Sequence, residues 1–303
     1  MLDNVEFRLT YSTGRVRRAA EKIYPAGNCE QESNPSVAQR AGEMFAGGGA
    51  YERFMGRWSR RLAPLLVTFA RVAGGDSVLD AGCGTGALSF AIGDMVPSAR
   101  LTGVDPSAAY VHDAQARAPA DRMRFLVGDA RALEFPDASF DKTLSLVVMN
   151  FVPDPARAVE EMTRVTRPTG VVAAAVWDYG QGMEMLRAFW DEAVALDESS
   201  ASRDERNMPL CRQGELATLW RTGGLERVEE QPLEIEMPFA SFDDYWLPFL
   251  GGQGPAGAHV AGLTDAARSA LEARLRARLL GGRADRAFTL RARAWAVRGV
   301  AAG

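Results

Sequence analysis

Val78-Leu79-Asp80-Ala81-Gly82-Cys83-Gly84-Thr85-Gly86-Ala87-Leu88 is the stretch from which the rest of the chain can be read. A short apolar run ends in an acid, three glycines alternate with small residues, and a helical pattern follows. This is the pattern of a strand, a tight turn and a helix start. Glycines there let the backbone take left-handed dihedrals and approach a ligand with no Cβ in the way. Unpaired N–H groups at the start of the following helix face the same point. Gly82-Cys83-Gly84-Thr85-Gly86-Ala87 also satisfies the dinucleotide pattern Gly-x-Gly-x-x-Ala, so the glycines alone leave two ligand classes open. Asp80 shifts the balance. A carboxylate aimed into the crevice repels a pyrophosphate and suits a ligand that carries an ammonium or sulfonium charge.

With these residues the chain resembles the class I S-adenosylmethionine (SAM)-dependent methyltransferases, whose first motif is matched almost unchanged by Val78–Gly86. The likeness runs from about Tyr51 to the C-terminus and is strongest from Val78 to Trp177. It is nearest to the small-molecule group that includes the ubiquinone/menaquinone C-methyltransferases. The resemblance implies SAM as cofactor, with Asp80, Gly82, Cys83 and Gly84 at the glycine turn. It implies an aromatic at Tyr51 touching the cofactor from a covering helix, and Leu146 against the methionine moiety. It also implies that Asp129 accepts from the adenine amino group while the Ala130 N–H donates to the ring. Asp105, with Pro106 after it, can be read without the family. It ends the next strand about twenty residues past the glycine turn, where nucleoside-binding α/β folds place an acid on the ribose hydroxyls; a helix N-cap is the alternative role. Three acids at three successive strand ends are more than a plain dinucleotide fold carries.

Around this core, strands and helices alternate, which predicts a parallel sheet covered on both faces. Strands are expected at Ser77–Asp80, Leu101–Asp105, Arg124–Val127, Thr143–Met149 and Val171–Trp177, with helices at roughly 86–95, 107–117 and 155–166. Helices near 183–197 and 214–221 flank the polar stretch Asp197–Asn207. A sixth strand is expected over Leu225–Met237 and a seventh over Phe288–Val297. The fold class is therefore α/β: a doubly wound, Rossmann-like, seven-stranded, mostly parallel sheet with an N-terminal helical cover and an inserted lid before the last strand. The cover is the amphipathic run from Tyr51 to Phe69, expected to be split at Pro64. The lid spans about 238–285 and holds Phe239, Phe242, Tyr245, Trp246 and Phe249 just before Gly251-Gly252-Gln253-Gly254. Leu271, Leu275 and Leu279 share a helix face read as core contact, with Arg268, Arg274, Arg276 and Arg278 on a solvated face. Residues 1–48 show no sustained period and read as poorly ordered. One methyltransferase domain follows over 49–303, with its cofactor core at about 74–180.

The composition of the 303 residues limits the rest. Hydrophobic content of 47% suffices for a core, and a net charge of −4 argues against a nucleic-acid surface. Cys29, Cys83 and Cys211 are odd in number and lack metal-type spacing, so neither a disulfide framework nor a zinc site is expected. No run approaches the roughly 18 apolar residues of a membrane span. Met1-Leu2-Asp3-Asn4 lacks the basic-then-apolar build of a signal peptide, so a cytoplasmic location is expected.

The function expected from these features is methyl transfer from SAM to an O, N or C atom of a small molecule. Phe151, Trp177, Asp178, Tyr179, Tyr245 and Trp246 are the residues expected in the acceptor's pocket, because open α/β sheets bind ligands beyond the carboxyl ends of their strands. No catalytic base stands out: His112 and His259 are each read as structural. The alternatives are a catalytically silent SAM-binding or scaffold subunit and an NAD(P)-dependent oxidoreductase, for which no hydride-transfer constellation is present. The oligomeric state is left open.

Overall fold

A computed structural model describes residues 48–303 except Ala120. The segment read as poorly ordered lies, but for Gly48, outside the described residues. The N-terminal cover is one rod in three parts: α1 (Gly48–Tyr51), a π-helical turn (Glu52–Gly56) and α2 (Arg57–Phe69). Pro64 lies inside α2 without ending it. The missing N–H costs one helical bond, and burial of Leu62, Ala63, Leu66 and Val67 on the core side holds the helix together. The irregularity falls instead at the π turn.

The chain then builds β1 (Ser77–Ala81), α3 (Ala87–Met95), β2 (Arg100–Asp105), α4 (Ala108–Arg117), β3 (Met123–Val127), β4 (Phe140–Leu146), α5 (Pro155–Val165) and β5 (Thr166–Trp177). Next come α6 (Glu184–Leu196), α7 (Glu215–Thr222), β6 (Glu226–Phe239), α8 (Phe242–Trp246), α9 (Gly254–Ala261), α10 (Asp265–Leu280) and β7 (Phe288–Val300). The sheet order is β3-β2-β1-β4-β5-β7-β6. The first five strands are parallel, and β7 lies antiparallel between β5 and β6. This is the doubly wound, seven-stranded sheet expected, with the order reversing beside β1 and β4. None of the described helices is long and apolar enough to cross a membrane.

Several strand bounds differ from expectation by a few residues, and two of the differences have a backbone cause. β4 stops at Leu146 because Val147 takes a left-handed φ of +54°, and Met149–Phe151 coils into a 3-10 turn. β5 begins at Thr166, since Phe140 pairs with Thr166 before a bulge accommodates Pro168-Thr169-Gly170.

The aromatic part of the segment expected to form a lid is core. Phe239, Phe242, Tyr245, Trp246 and Phe249 are none more than 3% exposed. Phe249 stacks on Phe189 of α6 at 4.7 Å, and Phe239 lies 5.2 Å from Trp58 of α2 and 5.3 Å from Phe288 of β7. The Tyr245 hydroxyl donates to the Met185 carbonyl at 3.0 Å. Rings that join α2, α6, β6 and β7 cannot swing as a unit without opening the core, and Gly252 (φ +71°) caps the 3-10 turn Leu247–Gly251 instead of hinging it. On α10, Leu271 and Leu275 are buried. Its arginines are more than solvated: Arg274 and Arg278 pair with Glu192 and Asp191 of α6, and Arg276 lies 4.2 Å from the Phe242 ring.

Candidate functional site

The carboxyl ends of β1, β2 and β4 open into a cavity of about 330 Å³. Its floor is the glycine turn. Gly82 and Cys83 both donate their N–H to the Val104 carbonyl of β2, at 2.8 and 3.0 Å, which pins the turn to the neighbouring strand. Gly82 has φ +79°, and a Cβ there would meet the Val148 side chain at 2.5 Å. Gly84 has φ +50°, and a Cβ there would meet nothing within 4 Å. It faces the open cavity.

Three acids surround this floor in unlike states. Asp80 is 1% exposed, and its Oδ2 accepts from the Ser89 N–H (3.1 Å) and hydroxyl (2.8 Å). Its Oδ1 is buried with no partner among the described residues. Burial pushes this carboxyl up to about 7, against the opposing Ser89 bonds and with a small push from Asp105. Asp105 accepts from the Gly84 N–H at Oδ2 and from the Ser107 N–H at Oδ1, both at 2.9 Å. A carboxylate has about four lone-pair positions, so two remain for a ligand. Burial raises its pKa too. The N-cap role weighed for Asp105 belongs to Ser107, whose hydroxyl accepts from the Tyr110 N–H. Asp129 is half-buried and clasped by Arg131, which donates from Nε and Nη2 as well as from its backbone. Those hydrogen bonds hold the Asp129 carboxyl below its ordinary value.

The ten residues expected at the cofactor, Tyr51, Asp80, Gly82, Cys83, Gly84, Asp105, Pro106, Asp129, Ala130 and Leu146, all line this one cavity, as does Phe151. Burial pushes the Cys83 thiol up, which leaves it unreactive. Trp177, Asp178, Tyr179, Tyr245 and Trp246 do not line it. Tyr245 and Trp246 belong to the aromatic core described above. Asp178 is spent on Arg293 of β7 (Nη2–Oδ2 2.5 Å) and on the Gln181 N–H, so it ties β5 to its neighbour. Trp177 and Tyr179 are buried in the hydrophobic core.

Sequence reading missed Arg131, Tyr110 and Ser59 in the lining, and also Thr85. The Thr85 hydroxyl donates to the Glu52 carboxylate of the π turn at 2.5 Å, and Arg60 pairs with the same carboxylate. Gly56 makes room for it: a Cβ there would sit 2.7 Å from the carboxylate atoms. The covering rod is thus fastened to the glycine turn, and only the Glu52-x-x-x-Gly56 spacing could have hinted at it. The cavity suits SAM on its own geometry: a buried unpaired carboxylate oxygen for a cation, an open glycine cradle, and free carboxylate lone pairs at a strand end.

The family described as "Methyltransferase domain" matches residues 79–174. The chain is 39% identical over 194 residues to the ubiquinone/menaquinone biosynthesis C-methyltransferase of Paracoccus denitrificans, a span covering 57% of this chain and 74% of that one. It is 35% identical over 121 residues to the 2-methyl-6-phytyl-1,4-hydroquinone methyltransferase of Synechocystis, covering 40% and 38% of the two chains. Over several curated relatives the chain spans about half of their length or less. In three dimensions it is similar to phosphoethanolamine N-methyltransferase 2 of Haemonchus contortus solved with SAM, at TM-score 0.56 and 19% identity, covering 89% and 60% of the two chains. That last likeness concerns the fold alone.

Proposed function

We propose, on the premise that the chain belongs to the SAM-dependent methyltransferases, that residues 49–303 form one catalytic domain acting in the cytoplasm. Its reaction is methyl transfer from SAM to an O, N or C atom of a small molecule. The favoured acceptor is apolar and aromatic, in keeping with the hydroquinone named for the Synechocystis relative. The observation that carries this reading is the buried, unpartnered Oδ1 of Asp80 beside the open face of Gly84. A cationic ligand seated on the glycine turn satisfies that oxygen, and a pyrophosphate would not.

SAM supplies, when bound, an electrophilic methyl on a sulfonium. The residues here hold and shield it. Asp80 would neutralise positive charge at the amino-acid end, Asp105 would accept from ribose hydroxyls, and Ala130 would address the adenine edge, with Asp129 joining it where the Arg131 clasp gives way. Tyr51 and Leu146 pack the middle. The covering rod, fastened by Glu52 to Thr85, keeps water out, so alignment and exclusion of water carry much of the barrier. Incubation with methyl-labelled SAM and a panel of phenols, quinols and amines tests the proposal. Label should pass to at least one aromatic acceptor, and calorimetry should show SAM binding. A purified chain that binds no SAM refutes it.

A further inference from the structure

A second cavity, of about 240 Å³, opens between α2 and α3, and Thr85 and Ala87 line both it and the cofactor cavity. Two arginines line its end at the glycine turn: Arg60 of α2 and Arg117, the last residue of α4. Both are tied to one residue pair. Arg60 pairs with Oε2 of Glu52, whose Oε1 accepts from the Thr85 hydroxyl at 2.5 Å. Arg117 donates from Nη2 to the Thr85 carbonyl, and its guanidinium lies 4.8 Å from the Phe90 ring. Burial, and after it the charge of Arg117, lowers the Arg60 pKa, so the two cations act on each other. Two more acids stand nearby. The Asp113 carbonyl accepts from Arg117 Nε at 3.2 Å, with its carboxylate 3.9 Å from Nη2. Asp94 is exposed seven residues beyond Ala87 on α3, about 10 Å further along the helix. Pro64, Phe90, Ala91 and Met95 make the rest of the lining largely apolar.

Two guanidiniums that repel each other are held together best by an anion. Here that anion is the chain's own Glu52, a carboxylate brought in by the π turn. A guanidinium offers five N–H donors in a planar fork. Among the described residues these contacts use one group of Arg60 and two of Arg117. The seat therefore suits a carboxylate, keeps donors in reserve, and continues into an apolar cavity that Glu52 does not fill.

We propose that this cavity is a second ligand site, that it takes a small organic carboxylate with an apolar body, and that the ligand displaces Glu52 from Arg60 and Thr85. The ligand's carboxylate lies between Arg60 and Arg117, and its body lies along Phe90, Ala91, Pro64 and Met95. Like charges side by side repel, so the Glu52 side chain, already 23% exposed, turns out to water. Its bond to Thr85 breaks with it, and the covering rod is no longer fastened to the glycine turn. Ligand and clasp thus exclude each other. By linkage the carboxylate weakens SAM binding, and SAM weakens carboxylate binding by the same factor. Only this coupling rests on the SAM reading; the site itself does not.

Calorimetry with benzoate, on the ligand-free chain at constant ionic strength set by chloride, tests the site. Benzoate should bind saturably at one site per chain, and acetate, which lacks the body, about tenfold more weakly. Arg60→Gln and Arg117→Gln should each weaken benzoate about tenfold. Glu52→Ala vacates the seat and should tighten it about tenfold. In the wild type, the SAM dissociation constant should rise about fivefold with benzoate and then level off, the worth of the one Thr85–Glu52 hydrogen bond. In Glu52→Ala it should not respond. No saturable benzoate binding, or binding that neither arginine change weakens, overturns the site. Acetate binding as tightly as benzoate overturns the apolar body, and a Glu52→Ala variant that binds benzoate no tighter overturns the displacement. A SAM dissociation constant that climbs with benzoate without levelling places benzoate in the cofactor cavity and overturns the second site. A chain that binds benzoate as stated but no SAM keeps this site and loses the methyl-transfer reading.

Discussion

Replacing Asp80 by Asn separates the cost of this residue from its use. The ordinary value of such a carboxyl is 3.8, and in the fold it titrates near 7. At about 1.4 kcal/mol per unit, ionising it in the ligand-free protein costs roughly 4 kcal/mol. The folded form keeps its proton between about pH 4 and 7 while the unfolded chain has lost it, so stability falls as pH rises through that window. Asp80→Asn removes this cost. Its amide then occupies the unpartnered Oδ1 position at about 1–3 kcal/mol, leaving a net gain near 1–3 kcal/mol at pH 8 that shrinks towards pH 5. Binding should move the other way. Loss of a charged partner for the ligand's ammonium costs about 1.5–3 kcal/mol, roughly ten- to over a hundredfold in affinity. Wild-type SAM affinity should also climb with pH through about 7, and the variant's should not. Urea unfolding at pH 5 and 8 and calorimetry across the same range read both effects. A variant less stable than wild type at pH 8 that still binds SAM normally would refute the reasoning.

Two further changes address the cavity and one the core. Asp105→Ala should weaken SAM binding roughly ten- to a hundredfold by calorimetry; unchanged affinity removes it from the ribose position. Glu52→Ala frees the covering rod from Thr85 and should speed SAM release about fivefold, the worth of one ordinary hydrogen bond; an unaltered dissociation rate means that the clasp does not gate the cavity. Tyr245→Ala with Trp246→Ala should cost at least about 3–5 kcal/mol and lower the melting temperature sharply, and near-wild-type melting would restore the idea of a mobile lid.

The half of the fold nearest the glycine turn was legible because its parallel strands appear as short segments that start apolar and end in an acid, as in Val78–Asp80 and Leu101–Asp105. The acids could be found because their places are set by strand ends, and all ten residues named for the cofactor surround one cavity. Bounds at β4 and β5 were missed because Val147 and Thr169 take left-handed φ values that their residue types do not advertise. The aromatic segment from Phe239 to Phe249 was misread for another reason. Rings followed by glycines are compatible with a hinge or with a capped core turn, and only the partners Phe189, Trp58 and Phe288 decide. The burial of Glu205, which is 5% exposed and accepts from Trp190 Nε1, was invisible, since a charged residue in a polar stretch reads as solvated until its packing is known.

The position of β7 between β5 and β6 affects the order in which the sheet can be assembled. Among the described residues β6 pairs only with β7, and residues 240–287 must be made before that partner exists. Until then β6 is an open edge of the kind that recruits other chains. Its pattern guards against this: from Leu233 onwards apolar Leu233, Ile235, Met237 and Phe239 point inward, while Glu234 and Glu236 point out and prolines stand at 232 and 238. Outward charges and prolines on a waiting strand act as gatekeepers against aggregation, so neutralising Glu234 and Glu236 should lower the yield of refolded protein more than its final stability.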